Sequence, residues 1–128
     1  MLLRPEHARA LLPRVDPGRM YKGLPVGLRD GALLALLAAG LSVPEISRLC
    51  ASSVNMARGK VLVAVNRHDI PWCAALPTDL GSRLLAWLTE RRLWAAAEPV
   101  FTGPQGPLTR MGIYNVLKRY RSGSKESR

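Results

Sequence analysis

The spacing of apolar positions predicts a chain built mainly of helices. Residues 26–40 are apolar almost all round a helix and end at Gly40, which indicates a buried central helix. Ser42, with Glu45 three residues later, has the pattern of a capping box, and Thr109 is the corresponding cap of a last helix. The pattern predicts helices over 5–12, 26–40, 43–50, from 77–79 onward, and over 110–121.

A different spacing in the middle of the chain predicts β-structure. Residues 61–65 read VLVAV, a short run of residues that favour strands. A turn is predicted at 66–69 and a returning strand at 70–76, with Pro71 marking that strand as an edge. The fold class is therefore mainly α with a small β-hairpin or sheet, α+β overall.

Proline, glycine and charge divide the chain into three parts. Residues 1–25 are rich in proline and glycine and are predicted to form an amino-terminal arm. Residues 26–121 form the globular domain, and the serine, glycine and charged residues of 122–128 predict a disordered basic tail.

The charge balance favours a polyanionic partner. The chain has 19 lysines and arginines against 9 acidic residues, a net charge of +10. Such an excess attracts nucleic acid through counterion release and accelerates encounter. Hydrophobic residues make up 48% of the chain, which excludes a wholly disordered basic protein.

Other classes of function are not expected. The apolar run at 31–41 is too short to span a membrane. Cys50 and Cys73 lack metal-ligand spacing, sit among apolar residues and are predicted to be buried free thiols in a reducing cytoplasm. His7 and His68 are too isolated for a metal site, so neither metal nor cofactor is expected. A cytoplasmic, nucleoid-associated bacterial protein is the expectation.

Several motifs resemble one enzyme family. Residues 28–39, LRDGALLALLAA, followed by GLSVPE at 40–45, resemble the opening of the catalytic domain of the tyrosine recombinases, the phage integrases. The resemblance extends from Val26 to Tyr120. It continues in order through LP at 76–77, PVFTG at 99–103, GPLTR at 106–110 and VLKRY at 116–120. It implies the fold of the amino-terminal part of that catalytic domain.

The resemblance also implies that the catalytic chemistry is lost. In the family the first catalytic arginine follows Gly-Leu, where this chain has Ser42, although Glu45 keeps the acidic position. The family's hairpin lysine, a general acid, falls near Arg67, with Lys60 a weaker candidate. Arginine holds its proton too tightly for that role but can still bind phosphate. We expect no room for the later His-x-x-Arg box and nucleophilic tyrosine after 117–120, hence a truncated relative that is not an enzyme.

What the resemblance leaves is a DNA-binding surface. We therefore predict non-catalytic, sequence-selective binding of double-stranded DNA, with use as a transcriptional regulator on a mobile genetic element such as a plasmid. A homodimer on a palindromic site is a further expectation. The candidate DNA-binding residues are Arg48, Arg58, Lys60, Arg67, Arg110, Lys118, Arg119 and Arg121.

Three alternatives stay open. One is an accessory or inhibitory subunit that binds a full-length recombinase through an apolar face of Trp87, Trp94 and Val100, although core packing explains those residues more simply. Another is a residual enzyme whose missing catalytic boxes are supplied by a second chain. The third is a helix-turn-helix regulator centred on 41–58, with 52–58 as its recognition helix.

Overall fold

A computed structural model describes residues 4–91 and 97–121 of the chain. The α-helices are α1 Pro5–Leu11, α2 Val26–Ala38, α3 Val43–Ser47, α4 Thr78–Arg91 and α5 Arg110–Arg121. The strands are β1 Val54–Ala57, β2 Lys60–Arg67, β3 Ile70–Ala75, β4 Thr102–Gly103 and β5 Gly106–Pro107. The predicted α+β class is confirmed.

Helix α2 is the centre of the core, as its all-round apolarity predicts. Its residues from Val26 to Leu37 are buried apart from the half-buried Leu28, and α1 and α4 pack against it. Gly40, with a φ of 101°, ends the helix. The Leu41 amide donates to the Leu36 carbonyl and the Gly40 amide to the Leu37 carbonyl, the two bonds of a Schellman motif. This turn fixes the direction in which the chain enters α3.

The three-stranded sheet is antiparallel, with β2 between β1 and β3. Val63 of β2 lies opposite Val54 on one side and Ala74 on the other. The predicted hairpin is confirmed, and Pro71 lies on the edge strand β3. Its turn carries positive φ angles at His68 and Asp69, as a two-residue hairpin turn requires.

The helix-turn-helix alternative is wrong. Helix α3 ends at Ser47, and most of the proposed recognition helix 52–58 is strand β1, paired with β2 from Val54↔Val63 to Ala57↔Lys60. The alternating apolar residues of β2 offer a ladder of backbone hydrogen bonds to this segment. That pairing outweighs the weak helix pattern of the segment.

The region 1–25 contributes to the core. The predicted short helix is present as α1, and Ala8, Leu11, Leu12 and Val15 are buried with the residues of α2. The division of the chain at residue 25 stays a prediction, and the predicted tail 122–128 lies outside the described residues.

The last helix is positioned by a short hairpin and a cap. Strands β4 and β5 pair antiparallel, and the Leu108 amide donates a hydrogen bond to the Phe101 carbonyl. The Thr109 hydroxyl accepts a hydrogen bond from the Gly112 amide at 3.1 Å, so the predicted cap is confirmed. Within 4–91 and 97–121, no helix is long and apolar enough to cross a bilayer.

Candidate nucleic-acid interface

The position expected for a catalytic arginine is occupied by a helix cap. The Ser42 hydroxyl accepts a hydrogen bond from the Glu45 amide at 3.3 Å, and Glu45 Oε1 accepts one from the Ser42 amide at 2.9 Å. The predicted capping box is therefore present at α3. The Ser42 hydroxyl satisfies the Glu45 amide, which would otherwise lack a partner, and the Ser42 amide holds the Glu45 carboxylate in one orientation.

Arg67 reaches this capping box from the end of β2. Its Nε donates to Glu45 Oε2 at 2.7 Å and its Nη2 donates to Glu45 Oε1 at 3.1 Å, a bidentate ion pair. The same Nη2 donates to the Gly40 carbonyl at 2.7 Å. The structure thus brings together the three positions to which the resemblance assigned an arginine, an acid and a lysine: Ser42, Glu45 and Arg67.

An aromatic ring, which sequence reasoning missed, also holds Arg67. The guanidinium carbon lies 3.7 Å from the centroid of the Trp72 ring. Arg67 lies opposite Ile70 in the hairpin, and Trp72 is two residues further along the same strand. Residues two apart on a strand share a face, so this diagonal contact follows once the hairpin register is known.

One edge of the Arg67 guanidinium is unused. A guanidinium has five N–H donors, and the contacts above engage the one on Nε and those on Nη2. Within the described part of the chain, nothing accepts a hydrogen bond from Nη1. The side chain is 35% exposed. Arg67 therefore offers a fixed cationic edge to solvent.

The Glu45 carboxylate is kept ionised by this arrangement. Burial raises the pKa of Glu45, but the hydrogen bonds from Arg67 and Ser42, together with the Arg67 charge, outweigh burial. The net effect lowers the Glu45 pKa below its ordinary value. The pair is therefore charged on both sides at neutral pH.

A second buried cluster lies at the other end of α2. Asp30 is fully buried; it accepts a hydrogen bond from Arg29 Nε at 2.9 Å and one from the Tyr120 hydroxyl at 2.7 Å. Arg119 Nη1 lies 3.9 Å from the same carboxylate. Burial raises the pKa of Tyr120, and the hydrogen bond to Asp30 and its charge raise it further. Tyr120 therefore anchors α5 to α2.

The predicted DNA-binding residues do not form one patch. Arg58 and Lys60 lie at the β1–β2 turn, and Arg67 lies at the opposite end of the eight-residue strand β2. That length separates the two ends of the strand by about 23 Å. The two turns therefore cannot contact the same phosphate.

The remaining candidates lie at the end of α3 and on α5. Arg48 shares a groove with Glu45 and Asn66. Arg110 begins α5, whereas Lys118, Arg119 and Arg121 lie in its last turns. Arg119 is half-buried, and the other candidates named in this paragraph are exposed.

The apolar face proposed for a recombinase partner is not available. Trp87 and Val100 are both fully buried, and the Trp87 indole donates a hydrogen bond to the Val100 carbonyl at 2.8 Å. The Trp87 ring stacks on Phe101 with centroids 6.3 Å apart. These residues belong to the core, and Trp94 lies outside the described residues. Trp87 and Val100 therefore pack within the core and are not exposed to a partner.

Metal ligation has no candidate group in 4–91 and 97–121. No three histidine, cysteine or acidic side chains lie close enough together there to hold an ion. Both cysteines are free thiols, as predicted, but the prediction that they are buried is wrong: Cys50 is half-buried and Cys73, on the edge strand β3, is exposed.

Comparison with known proteins finds a partial similarity to one recombinase sequence. This chain is similar to a protein of Caldanaerobacter subterraneus subsp. tengcongensis named “Putative tyrosine recombinase”. The two sequences are 32% identical over 101 residues. The match covers 73% of this chain and 32% of that protein, so the chain spans about a third of its relative's length. No family profile and no solved structure matches. The similarity indicates a recombinase-like relationship, which fits a DNA-related role.

Proposed function

We propose that this protein binds double-stranded DNA sequence-selectively without cleaving it, and that it regulates transcription on a mobile genetic element. The observation that carries the proposal is the guanidinium of Arg67, held by Glu45 and Trp72 with its Nη1 edge toward solvent. The net charge of +10 and the recombinase-like similarity support a DNA partner.

A guanidinium in this state suits non-covalent contact. Its orientation is set before DNA arrives, so less side-chain entropy is lost on binding than for a free surface arginine. Either N–H of Nη1 can donate a single hydrogen bond to a phosphate oxygen or to an acceptor on a guanine edge. Arginine stays protonated at all accessible pH values, so Arg67 is unsuited to donate a proton to a leaving oxygen.

The absence of cleavage is inferred from two further positions. Ser42 is neutral and used as a helix cap, so it adds no positive charge against a phosphate. Tyr120, one of the tyrosines on α5, has its hydroxyl committed to Asp30 in a buried site. Loss of one preorganised donor typically lowers the rate of such a reaction about 10²–10³-fold.

The first experiment measures fluorescence anisotropy with the duplex upstream of the gene and with a scrambled duplex, at two salt concentrations. We expect tighter binding to the upstream duplex, because side-chain contacts to base edges distinguish it from the scrambled duplex. Binding should also weaken with salt, because several cations release counterions from the phosphates. A denaturing gel of the protein with a nicked duplex should show no covalent product. Equal affinity for both duplexes contradicts selective binding, and a covalent protein–DNA band contradicts the non-catalytic assignment.

A matched pair of variants tests the contribution of Arg67. Arg67→Gln should weaken binding to the upstream duplex about tenfold, a typical effect of losing one ordered charged contact. Arg9→Gln is the control, because Arg9 is an exposed arginine already paired with Asp79 at 2.7 Å. If both variants bind DNA equally well, Arg67 is not part of the interface.

A further inference from the structure

A tight turn just before α2 is held in one conformation. The Tyr21 amide donates a hydrogen bond to the Leu24 carbonyl, and the Leu24 amide donates one to the Tyr21 carbonyl, both at 2.9 Å. Between them, Lys22 and Gly23 have φ angles of 50° and 77°, as the two central residues of a type I′ turn require. The turn therefore presents Tyr21 and Lys22 from a defined backbone, although the sequence around it predicts an arm.

The segment that leads into this turn is fixed to the start of α2. The Gly27 amide donates a hydrogen bond to the Arg19 carbonyl at 3.0 Å, and the Arg19 amide donates one to the Asp16 carbonyl at 3.1 Å. A side-chain carbon at Gly27 would collide with the Asp16 carbonyl oxygen, so only glycine lets the segment lie this close to the helix. These contacts place the turn relative to the core before any partner binds.

A groove of about 390 Å³ separates the turn from the β4–β5 hairpin and the start of α5. Tyr21 and Lys22 form one wall, and the Tyr21 side chain is 49% exposed. The opposite wall is formed by residues 103–109 and Gly112, none of which is charged. No carboxylate therefore occurs among the described residues that line the groove, and the Lys22 ammonium is the charge within it.

Each wall includes or adjoins a cationic residue. Lys22 is exposed, and its Nζ lies 5.4 Å from the centroid of the Tyr21 ring. Arg110, which directly follows Thr109 of the opposite wall, is exposed as well. Within residues 4–91 and 97–121, neither side chain forms an ion pair. Both charges are therefore available to an anion.

The backbone of a DNA strand matches this arrangement of charged and uncharged groups. A strand carries one negative charge at every nucleotide, and an uncharged deoxyribose lies between successive phosphates. Cationic side chains pair with the phosphates, and the deoxyribose can pack on the tyrosine ring and the prolines between the two cations. Contacts to phosphate and sugar position a protein on DNA but carry no sequence information.

We propose that the turn at 21–24 and the start of α5 hold the sugar–phosphate backbone of one DNA strand between them. Lys22 pairs with a phosphate, and the Tyr21 ring packs against the neighbouring deoxyribose. The inference rests on the proposed binding of DNA but not on its selectivity. It adds to the interface a contact from the region before α2, where the charge pattern of the sequence singled out no residue.

The test measures anisotropy with the upstream and the scrambled duplex at several salt concentrations. Lys22→Gln should weaken binding to both duplexes by the same factor, about fivefold, and lower the slope of log affinity against log salt by about 0.9, because one phosphate contact is lost. Arg9→Gln is the control, because it removes the same charge at a residue already paired with Asp79. It should change affinity less than about twofold, since a distant exposed charge is screened by salt.

A second pair of variants tests the packing contact without changing charge. Tyr21→Ser should weaken binding to both duplexes about threefold and leave the salt slope unchanged, since no phosphate contact is lost. Leu85→Ser, at an exposed position on α4, is the control that should leave affinity unchanged. Amide chemical shifts locate the contact: either duplex should shift the signals of Lys22, Gly103 and Gly106. A glutamate-rich peptide is the competing probe and should not shift them.

Two outcomes overturn the inference. One is that Lys22→Gln and Arg9→Gln change affinity and salt slope equally. The other is that the glutamate-rich peptide shifts the groove signals and the duplexes do not, which would assign the groove to an acidic protein partner. If the unaltered protein binds both duplexes equally but Lys22→Gln weakens both, selective binding is contradicted while this contact is supported, so the two failures are distinguishable. Melting curves confirm that each variant is folded.

Discussion

The carboxylate of Glu45 accepts two hydrogen bonds from the guanidinium of Arg67, at 2.7 Å and 3.1 Å, across a sequence separation of 22 residues. This contact joins the first turn of α3 to the end of β2. Because Ser42 caps the same turn, helix cap and ion pair stabilise one another. The contact therefore stabilises the fold and also fixes the orientation of the Arg67 guanidinium.

Loss of the ion pair should destabilise the fold measurably. Arg67→Gln is expected to lower the free energy of unfolding by about 1 kcal/mol, because two charged hydrogen bonds are lost at a partly exposed site. Urea unfolding followed by circular dichroism measures the change. Arg9→Gln breaks a pair in which both side chains are more than half exposed, and it should shift the midpoint far less. Equal shifts would show that the Arg67–Glu45 pair contributes no more to stability than the exposed Arg9–Asp79 pair.

Stability should depend on pH through Glu45. Its pKa in the folded protein is lowered from the ordinary value of 4.5, so below that value the unfolded chain binds more protons than the folded one. The stabilisation is complete above the ordinary pKa and is lost as the pH falls through the lowered one. Unfolding free energies measured from pH 7 down to pH 3 should fall less steeply for Glu45→Gln. The same slope in both proteins would contradict this assignment.

The Tyr120 hydroxyl should be needed for stability. Tyr120→Phe is expected to lower the free energy of unfolding by about 1–3 kcal/mol, because the buried Asp30 carboxylate loses a hydrogen bond that water cannot replace. Thermal and urea unfolding measure it. Tyr114→Phe serves as the control and should change stability by less than about 0.5 kcal/mol, since Tyr114 is partly exposed. If Tyr120→Phe left the free energy of unfolding unchanged, the hydrogen bond to Asp30 would not anchor α5.

Arg110 provides a separate test of DNA binding. It is exposed at the first residue of α5, next to the Thr109 cap, where amides at a helix start favour phosphate. Arg110→Ala should weaken affinity for all duplexes and reduce the slope of log affinity against log salt by about 0.9, the value for one phosphate contact. Anisotropy titrations at several salt concentrations measure the slope. An unchanged affinity and slope would remove Arg110 from the interface.

Local signals in the sequence predicted the helices and several of their ends, although the helix predicted over 43–50 ends at Ser47. The all-round apolarity of α2, the glycine at 40, and the caps at Ser42 and Thr109 act between residues a few positions apart, so each could be recognised before folding. The hairpin was equally readable from a short β-rich run and a turn. Strand β1 was not, because its state depends on the partner that β2 offers.

Only the tertiary structure decided which side chains meet. The bidentate pair of Arg67 with Glu45, the ring of Trp72 beside it, and the bond from Tyr120 to Asp30 90 residues away depend on packing and strand register. The same holds for burial: Trp87 and Val100 are fully buried, and the Trp87 indole donates a hydrogen bond to the Val100 carbonyl 13 residues away. A sequence pattern fixes the face on which a residue lies, whereas the elements packed against that face decide what it contacts.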